Sequence, residues 1–208
     1  ILAGFDSEDT WIATYDHGLF RITDSGTKSY YEDGSLPEKS ITVLFRSKSN
    51  ILLAVSENRV YQHDPETDHF KEILFEFGLG EKRPIIYAFN QGHDDDILIG
   101  TKEHGLFIWS RKKQIEKQFK LQPAEDRSGL ETSTIYGIEP DMQGNLWCST
   151  QNGIVKLNSR GGLIKRFTTA DGLQGNDFAF GAAFTSEEGL IYFGGVNGYN
   201  RFNPAEVS

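Results

Sequence analysis

Four times along this chain a short apolar stretch runs into a tight turn and then into a second apolar stretch, with the same residue types recurring in the same places. Trp11-Ile12-Ala13-Thr14 precedes His17-Gly18-Leu19-Phe20, and Leu98-Ile99-Gly100-Thr101 precedes His104-Gly105-Leu106-Phe107. Trp147-Cys148-Ser149-Thr150 precedes Asn152-Gly153-Ile154-Val155, and Tyr192-Phe193-Gly194-Gly195 precedes Asn197-Gly198-Tyr199-Asn200. A weaker copy, Leu52-Leu53-Ala54-Val55 before Asn58-Arg59-Val60-Tyr61, falls between the first two. From Trp11 through Leu52, Leu98 and Trp147 to Tyr192 the steps are 41, 46, 49 and 45 residues. Short strands repeating every roughly 40–50 residues are the pattern of propeller blades, each unable to bury its own apolar faces alone. The expected fold class is therefore all-β, a β-propeller of four-stranded antiparallel blades.

The third repeat shows the blade logic. Ile85 to Phe89 is an apolar run that reads as a strand buried on both faces, and Asn90 to Asp95 turns the chain. Asp96 to Thr101 is the second strand, Glu103-His104-Gly105 a tight turn with glycine at a position of positive φ, and Leu106 to Trp109 the third. Gln114 to Leu121 is the expected outer strand. The same order places blades at 1–31, 41–76, 85–121, 134–168 and 178–202, about four and a half in all. Ile22, Trp109, Leu157 and Phe202 each lie four residues after a turn glycine and are expected to share one packing layer. Trp11 and Trp147 are assigned to the core. No helix is expected, because no segment sustains a 3.6-residue apolar period. With no outer strand after Phe202, the chain reads as a fragment of a larger propeller, the alternative being a self-contained five-bladed ring.

Composition narrows the function classes. A formal net charge of −9 argues against a nucleic-acid partner, whose phosphates require a cationic footprint. The basic stretch Arg111-Lys112-Lys113 with Lys117 and Lys120 reads as a solvated edge that discourages strand pairing. Cys148 is the single cysteine, so no internal disulfide forms. No apolar run reaches the roughly 18 residues that would span a bilayer, and Ile1 to Phe5 lacks the features of a secretion signal. The piece is expected to be soluble, with a parent protein that is exported or membrane-anchored.

Strand alternation gathers the turns between second and third strands, together with the blade links, on one rim. Loops on a rigid scaffold around a central channel commonly carry small-ligand sites. The expected ligand-binding residues are Tyr15, His17, Arg83, His104, Arg127, Asn152, Asn176 and Asn197. Tyr31, Tyr87, Tyr136 and Phe180 offer aromatic faces on which a sugar could stack. Each has a plainer reading: His17 and His104 are equivalent repeat positions, and Asn152 and Asn197 precede turn glycines. No metal site is expected, since no clustered Cys/His spacing occurs and His93-Asp94-Asp95-Asp96 lacks the ligand spacing of an EF-hand. No catalytic residues are assigned, because nucleophile-elbow, P-loop and dinucleotide motifs are missing. Channel carboxylates of a glycosidase or lyase cannot be recognised from sequence spacing.

Asp141-Met142-Gln143-Gly144-Asn145-Leu146-Trp147-Cys148-Ser149-Thr150 resembles the blade motif of the two-component regulator propeller repeats. Asp171-Gly172-Leu173-Gln174-Gly175-Asn176 resembles that family's blade link, and Phe193 to Pro204 its last repeat. The resemblance implies an extracytoplasmic, periplasmic sensor region of a membrane-anchored bacterial receptor, a histidine kinase or diguanylate cyclase. It further implies a small-molecule or oligosaccharide ligand, no cofactor, and a region that is not itself an enzyme. The alternatives are a protein-interaction scaffold and a carbohydrate-active lyase or hydrolase. Two uncovered blade faces would also allow homodimerisation.

Overall fold

The computed structural model describes residues 2–5, 9–80, 83–92, 96–110, 119–120, 122–123 and 133–207. They form two compact units, Ile1–Phe75 and Glu76–Ser208. Both are built from repeated antiparallel sheets of three or four strands, so the chain is all-β. No helix among the described residues is long and apolar enough to cross a membrane.

In the first unit β1 (Leu2–Phe5), β2 (Thr10–Ala13), β3 (Leu19–Thr23) and β4 (Gly26–Ser29) make one sheet in chain order. β5 (Val43–Arg46), β6 (Leu52–Ser56), β7 (Arg59–Asp64) and β8 (His69–Ile73) make the next. Trp11 is buried as the sequence leads one to expect, stacked on Tyr30 at 5.2 Å with the edge of Phe70 at 6.2 Å. The Asp68 carboxylate joins the two sheets. It accepts from Lys28 Nζ at 2.7 Å and Tyr30 OH at 2.7 Å, and lies 2.9 Å from His63 Nε2. Burial works against its ionisation, but those partners outweigh it and hold the carboxyl well below the usual carboxylate range.

β9 (Phe75–Glu76) stands at the division between the units. The third sheet is β10 (Ile86–Gln91), β11 (Ile97–Thr101), β12 (Leu106–Trp109) and, after a short strand β13 (Phe119–Lys120) that is not part of it, β14 (Gln122–Pro123), which pairs with β12. The fourth is β15 (Ile135–Pro140), β16 (Leu146–Thr150), β17 (Gly153–Leu157) and β18 (Leu163–Phe167). The fifth has three strands, β19 (Phe178–Thr185), β20 (Ile191–Gly195) and β21 (Gly198–Phe202).

The repeated motif has a local physical cause. Its closing threonine clamps the turn: Thr14, Thr101 and Thr150 Oγ1 donate to the carbonyls of Gly18, Gly105 and Gly153 at 2.9, 2.7 and 2.9 Å. The amides of the same three glycines donate to the link that enters the following sheet, at Lys39, Ser133 and Asn176. Gly105 takes φ 73°, the left-handed conformation that L side chains rarely adopt. The degraded second repeat has Arg59 in place of that glycine, and Glu57 takes φ 52° as its counterpart Glu103 takes φ 62°. Asp141 organises its loop by accepting from the amides of Gln143 and Asn145 at 3.0 and 2.8 Å and from Trp147 Nε1 at 2.9 Å. The aspartate and tryptophan of the blade motif therefore serve folding.

Three expectations need correction. The third sheet takes its fourth strand from Gln122–Pro123, beyond the expected span ending at Leu121, while residues 114–118 lie outside the described residues. Ile22 is 39% exposed and leaves the layer expected of it, whereas Trp109 and Leu157 are buried and Phe202 half-buried. Among the described residues one 3-10 turn, Thr169–Asp171, interrupts the run of strands. It forms because Thr168 and Asp171 cap each other's backbone amides, which needs no apolar period.

Candidate aromatic site on the innermost strands

In the second unit β10, β15 and β19, the first strand of each sheet, pack on one another, and β10 also reaches β19. Their approach depends on missing side chains: a Cβ on Gly137 would meet Ala183 Cβ at 2.5 Å, and one on Gly100 would meet Ile135 Cγ2 at 2.8 Å. Each of the three strands also carries an irregularity near its start. Register steps from Ile86↔Thr101 to Ala88↔Gly100, so Tyr87 is an extra residue. It steps from Ile135↔Thr150 to Gly137↔Ser149, which leaves Tyr136 extra. In β19 it steps from Phe178↔Gly195 to Ala183↔Phe193, with Gly181 at φ 68° inside the irregular stretch that holds Phe180. A bulge re-aims the extra side chain and is common beside functional sites.

The three re-aimed rings meet. Tyr87 and Tyr136 stack with centroids 6.1 Å apart and planes 16° from parallel, while Tyr87 and Phe180 are 5.0 Å apart and tilted. All three are half-buried, so part of each ring faces solvent. Burial pushes the Tyr136 hydroxyl up, with Tyr87 and Asp177 adding to the shift and Lys102 opposing it. The charges of Asp177 and Lys102 thus act on Tyr136 in opposite directions. Apolar ring faces that carry two phenolic hydroxyls suit a ring-shaped polar molecule.

A second cluster sits three residues further along β10 and β15. Glu139 is 8% exposed and accepts from Thr185 Oγ1 at 2.7 Å and from Asn90 Nδ2 at 3.4 Å. Asn90 Nδ2 also donates to Ile138 O at 2.7 Å, so the cluster ties three sheets together. Burial pushes the Glu139 carboxyl up to about 7, against the opposing pull of Thr185 and Asn90. Among the described residues no cation forms an ion pair with it. Neighbouring Cys148 is fully buried, and burial, with a contribution from Glu139, raises its thiol far above the reactive range.

The residues expected to bind ligand fall in different places. Tyr15 and His17 belong to the first unit; Tyr15 is 51% exposed, and the His17 amide donates to Thr14 Oγ1 at 2.9 Å. His104 Nδ1 lies 3.0 Å from Lys102 O, the Asn152 amide donates to Thr150 Oγ1 at 3.0 Å, and Asn176 Oδ1 accepts from Thr169 N at 3.0 Å. Each of those contacts shapes a turn. Arg83 and Asn197 are exposed, and Arg127 lies outside the described residues. Tyr31 is in the first unit, with Lys39 Nζ 5.4 Å from its ring. Residues 93–95 of the acidic loop also lie outside the described residues, and no group of three or more metal-ligating side chains occurs among those described. Sequence reasoning named the three aromatics but missed Glu139. Its only signal is a charged residue inside the apolar run Ile135 to Pro140.

No protein-family model matches the chain. It is 24% identical over 211 aligned residues to Histidine kinase P4 of Formosa agariphila, covering 95% of this chain and 15% of that protein. The extracellular domain of a putative hybrid two component system from B. thetaiotaomicron superposes with a TM-score of 0.75 at 18% identity, over 96% of this chain and 26% of the other. Virginiamycin B lyase from Staphylococcus aureus superposes with a TM-score of 0.72 at 14% identity, over 98% of this chain and 66% of the lyase. This is distant likeness to β-propeller-like folds that include both sensor domains and enzymes. The chain spans only a minor part of the two receptor proteins. The expectation that the region is not an enzyme is overturned. Its fold is shared with virginiamycin B and streptogramin B lyases and with a putative gluconolactonase, the latter at a TM-score of 0.60, so the fold gives no ground for excluding catalysis.

Proposed function

We propose that this region is the extracytoplasmic ligand-binding part of a membrane-anchored bacterial signalling receptor, built as part of a larger β-propeller. Tyr87, Tyr136 and Phe180 form the platform on which a small molecule or oligosaccharide stacks. The observation that carries this reading is the convergence of three aromatics from irregular stretches of three separate sheets. Bulges re-aim side chains and are over-represented beside active sites, which supports reading the three rings as a ligand platform. Similarity to a histidine kinase along nearly the whole chain supports the receptor context. Oligosaccharide arrays followed by calorimetry on the hits test it: Tyr87→Ala and Tyr136→Ala should each weaken binding at least about tenfold, a loss of about 1.4 kcal/mol. Unchanged affinity in both folded variants would overturn the assignment.

A second reading rests on Glu139. A carboxyl held at about 7 is half-protonated near neutral pH, which suits a general acid or base in a lyase or hydrolase. Turnover of an uncharged or uronic oligosaccharide or a sugar lactone, abolished by Glu139→Gln, would establish catalysis. Equal turnover by the wild type and the variant would remove Glu139 from that role.

A further inference from the structure

The strands that present the rings are also the strands that carry the Glu139 cluster. Tyr87 and Asn90 lie on β10, Tyr136 and Glu139 on β15, and Phe180 and Thr185 on β19. On β10 and β15 the polar residue comes three positions after the ring, which is about 10 Å of strand. Glu139 acts as a bolt: carried by one strand, its carboxylate accepts from Thr185 at 2.7 Å and from Asn90 at 3.4 Å on the other two. Between bolt and rings there is no slack. A Cβ on Gly137, which lies between Tyr136 and Glu139, would meet Ala183 of β19 at 2.5 Å. Asn90 also donates to the Ile138 carbonyl at 2.7 Å, fixing β10 to the same stretch of β15.

The strands packed on β15 bring no counter-charge to Glu139. β10, β11, β16 and β19 all contact β15, and none of the four contains a charged residue. Their titratable groups are the Tyr87 phenol on β10 and the Cys148 thiol on β16, and neither group can become a cation. The Asp141 carboxylate, just beyond β15, is engaged by its own loop through the amides of Gln143 and Asn145. Burial is accordingly what raises the Glu139 carboxyl to about 7, and no charged group contributes. An ionised carboxylate with only neutral partners is costly to bury, so ionisation favours arrangements that admit water. Admitting water here means parting β10, β15 or β19, the strands that hold the three rings together.

We propose that Glu139 is a proton switch for the aromatic platform. The protonated acid fastens β10, β15 and β19 so that Tyr87, Tyr136 and Phe180 stay packed, and ionisation loosens the strands and spreads the rings. The consequence for a ligand rests on the platform reading above: a small molecule stacked on the rings is held in mildly acidic surroundings and released as pH rises through neutrality. By linkage, a ligand that requires the packed rings draws a proton onto Glu139 when it binds near neutral pH.

Replacing Phe180 by 4-fluorophenylalanine sets a fluorine on the ring that lies 5.0 Å from that of Tyr87. Its resonance reports the ring contact with no ligand added, so the outcome is separate from the oligosaccharide arrays that test the platform itself. In the otherwise unchanged chain the resonance should move with a midpoint at about pH 7. Amide exchange at 135–138 and 181–185, corrected for intrinsic rates, should be at least about tenfold faster at about pH 8.5 than at about pH 5.5. Glu139→Gln, uncharged at every pH, should keep the low-pH resonance and the slower exchange throughout. Tyr87→Leu should remove most of the resonance movement, because the ring current that shifts is then gone. A resonance or exchange unchanged across that range, a resonance that still titrates in Glu139→Gln, or one that titrates undiminished in Tyr87→Leu would each overturn the proposal.

Discussion

Replacing Glu139 by glutamine should make the protein more stable at pH 8 while leaving it nearly unchanged at pH 4. The carboxyl is 8% exposed, held by Thr185 and Asn90, and unpaired with any cation among the described residues. Its ordinary value is 4.5, and burial raises it to about 7 in the folded chain. The fold thus prefers the protonated acid, and the stabilisation this gives is fully present below about pH 4.5. It is lost as pH rises through about 7, where the folded chain must hold a buried charge. Two and a half pH units correspond to on the order of 3 kcal/mol at 1.36 kcal/mol each. Glutamine keeps an oxygen that accepts from Thr185 and carries no charge, so most of that difference should appear as a gain above pH 8. Urea denaturation of both proteins from pH 4 to 9, followed by tryptophan fluorescence, gives the difference directly. Because the two share every other titrating group, the subtraction isolates Glu139. A difference that stays flat across this range would refute the reasoning.

Trp147→Ala should destabilise the protein by about 3–5 kcal/mol, since the ring is 1% exposed, stacks on Phe167 and donates to Asp141; a loss under about 1 kcal/mol in equilibrium denaturation would count against it. Gly137→Ala should cost about 1–3 kcal/mol through the collision of its Cβ with Ala183, measurable as a lowered urea midpoint. Asp68→Ala should cost about 1–2 kcal/mol, discounted for partial exposure. Because the Asp68 carboxyl is depressed, its contribution is present above pH 3.8 and falls away as pH drops toward its folded value, so the variant and wild type should converge in strong acid. Cys148 should resist alkylation in the native state and react fully in denaturant, which mass spectrometry of iodoacetamide-treated protein would show.

The repeat itself was legible because its residues act locally. A threonine reaches back to a carbonyl four residues on, or three in the fourth repeat, and a glycine supplies a left-handed turn. Alternation then sends Trp11 and Trp147 to the core. Single-residue signals of this kind survive in a linear reading, and even the second repeat was placed although Arg59 stands where the others have glycine. The site was legible only in part. Tyr87, Tyr136 and Phe180 were recognisable as aromatic, but the sequence gives no sign that an extra residue would be inserted at each position.

Periodicity by itself therefore determined the repeated antiparallel sheets, the turn chemistry and the identity of the buried tryptophans, because each depends on neighbours within a few residues. Tertiary structure alone decided that rings 49 and 44 residues apart in sequence share one surface, and that Glu139 lies against Thr185 and Asn90 with no cation among the described residues to offset its burial. Those outcomes depend on how closely sheets approach and which groups lose water when they do, and a residue's pKa and reach are set by that desolvation rather than by its place in the chain.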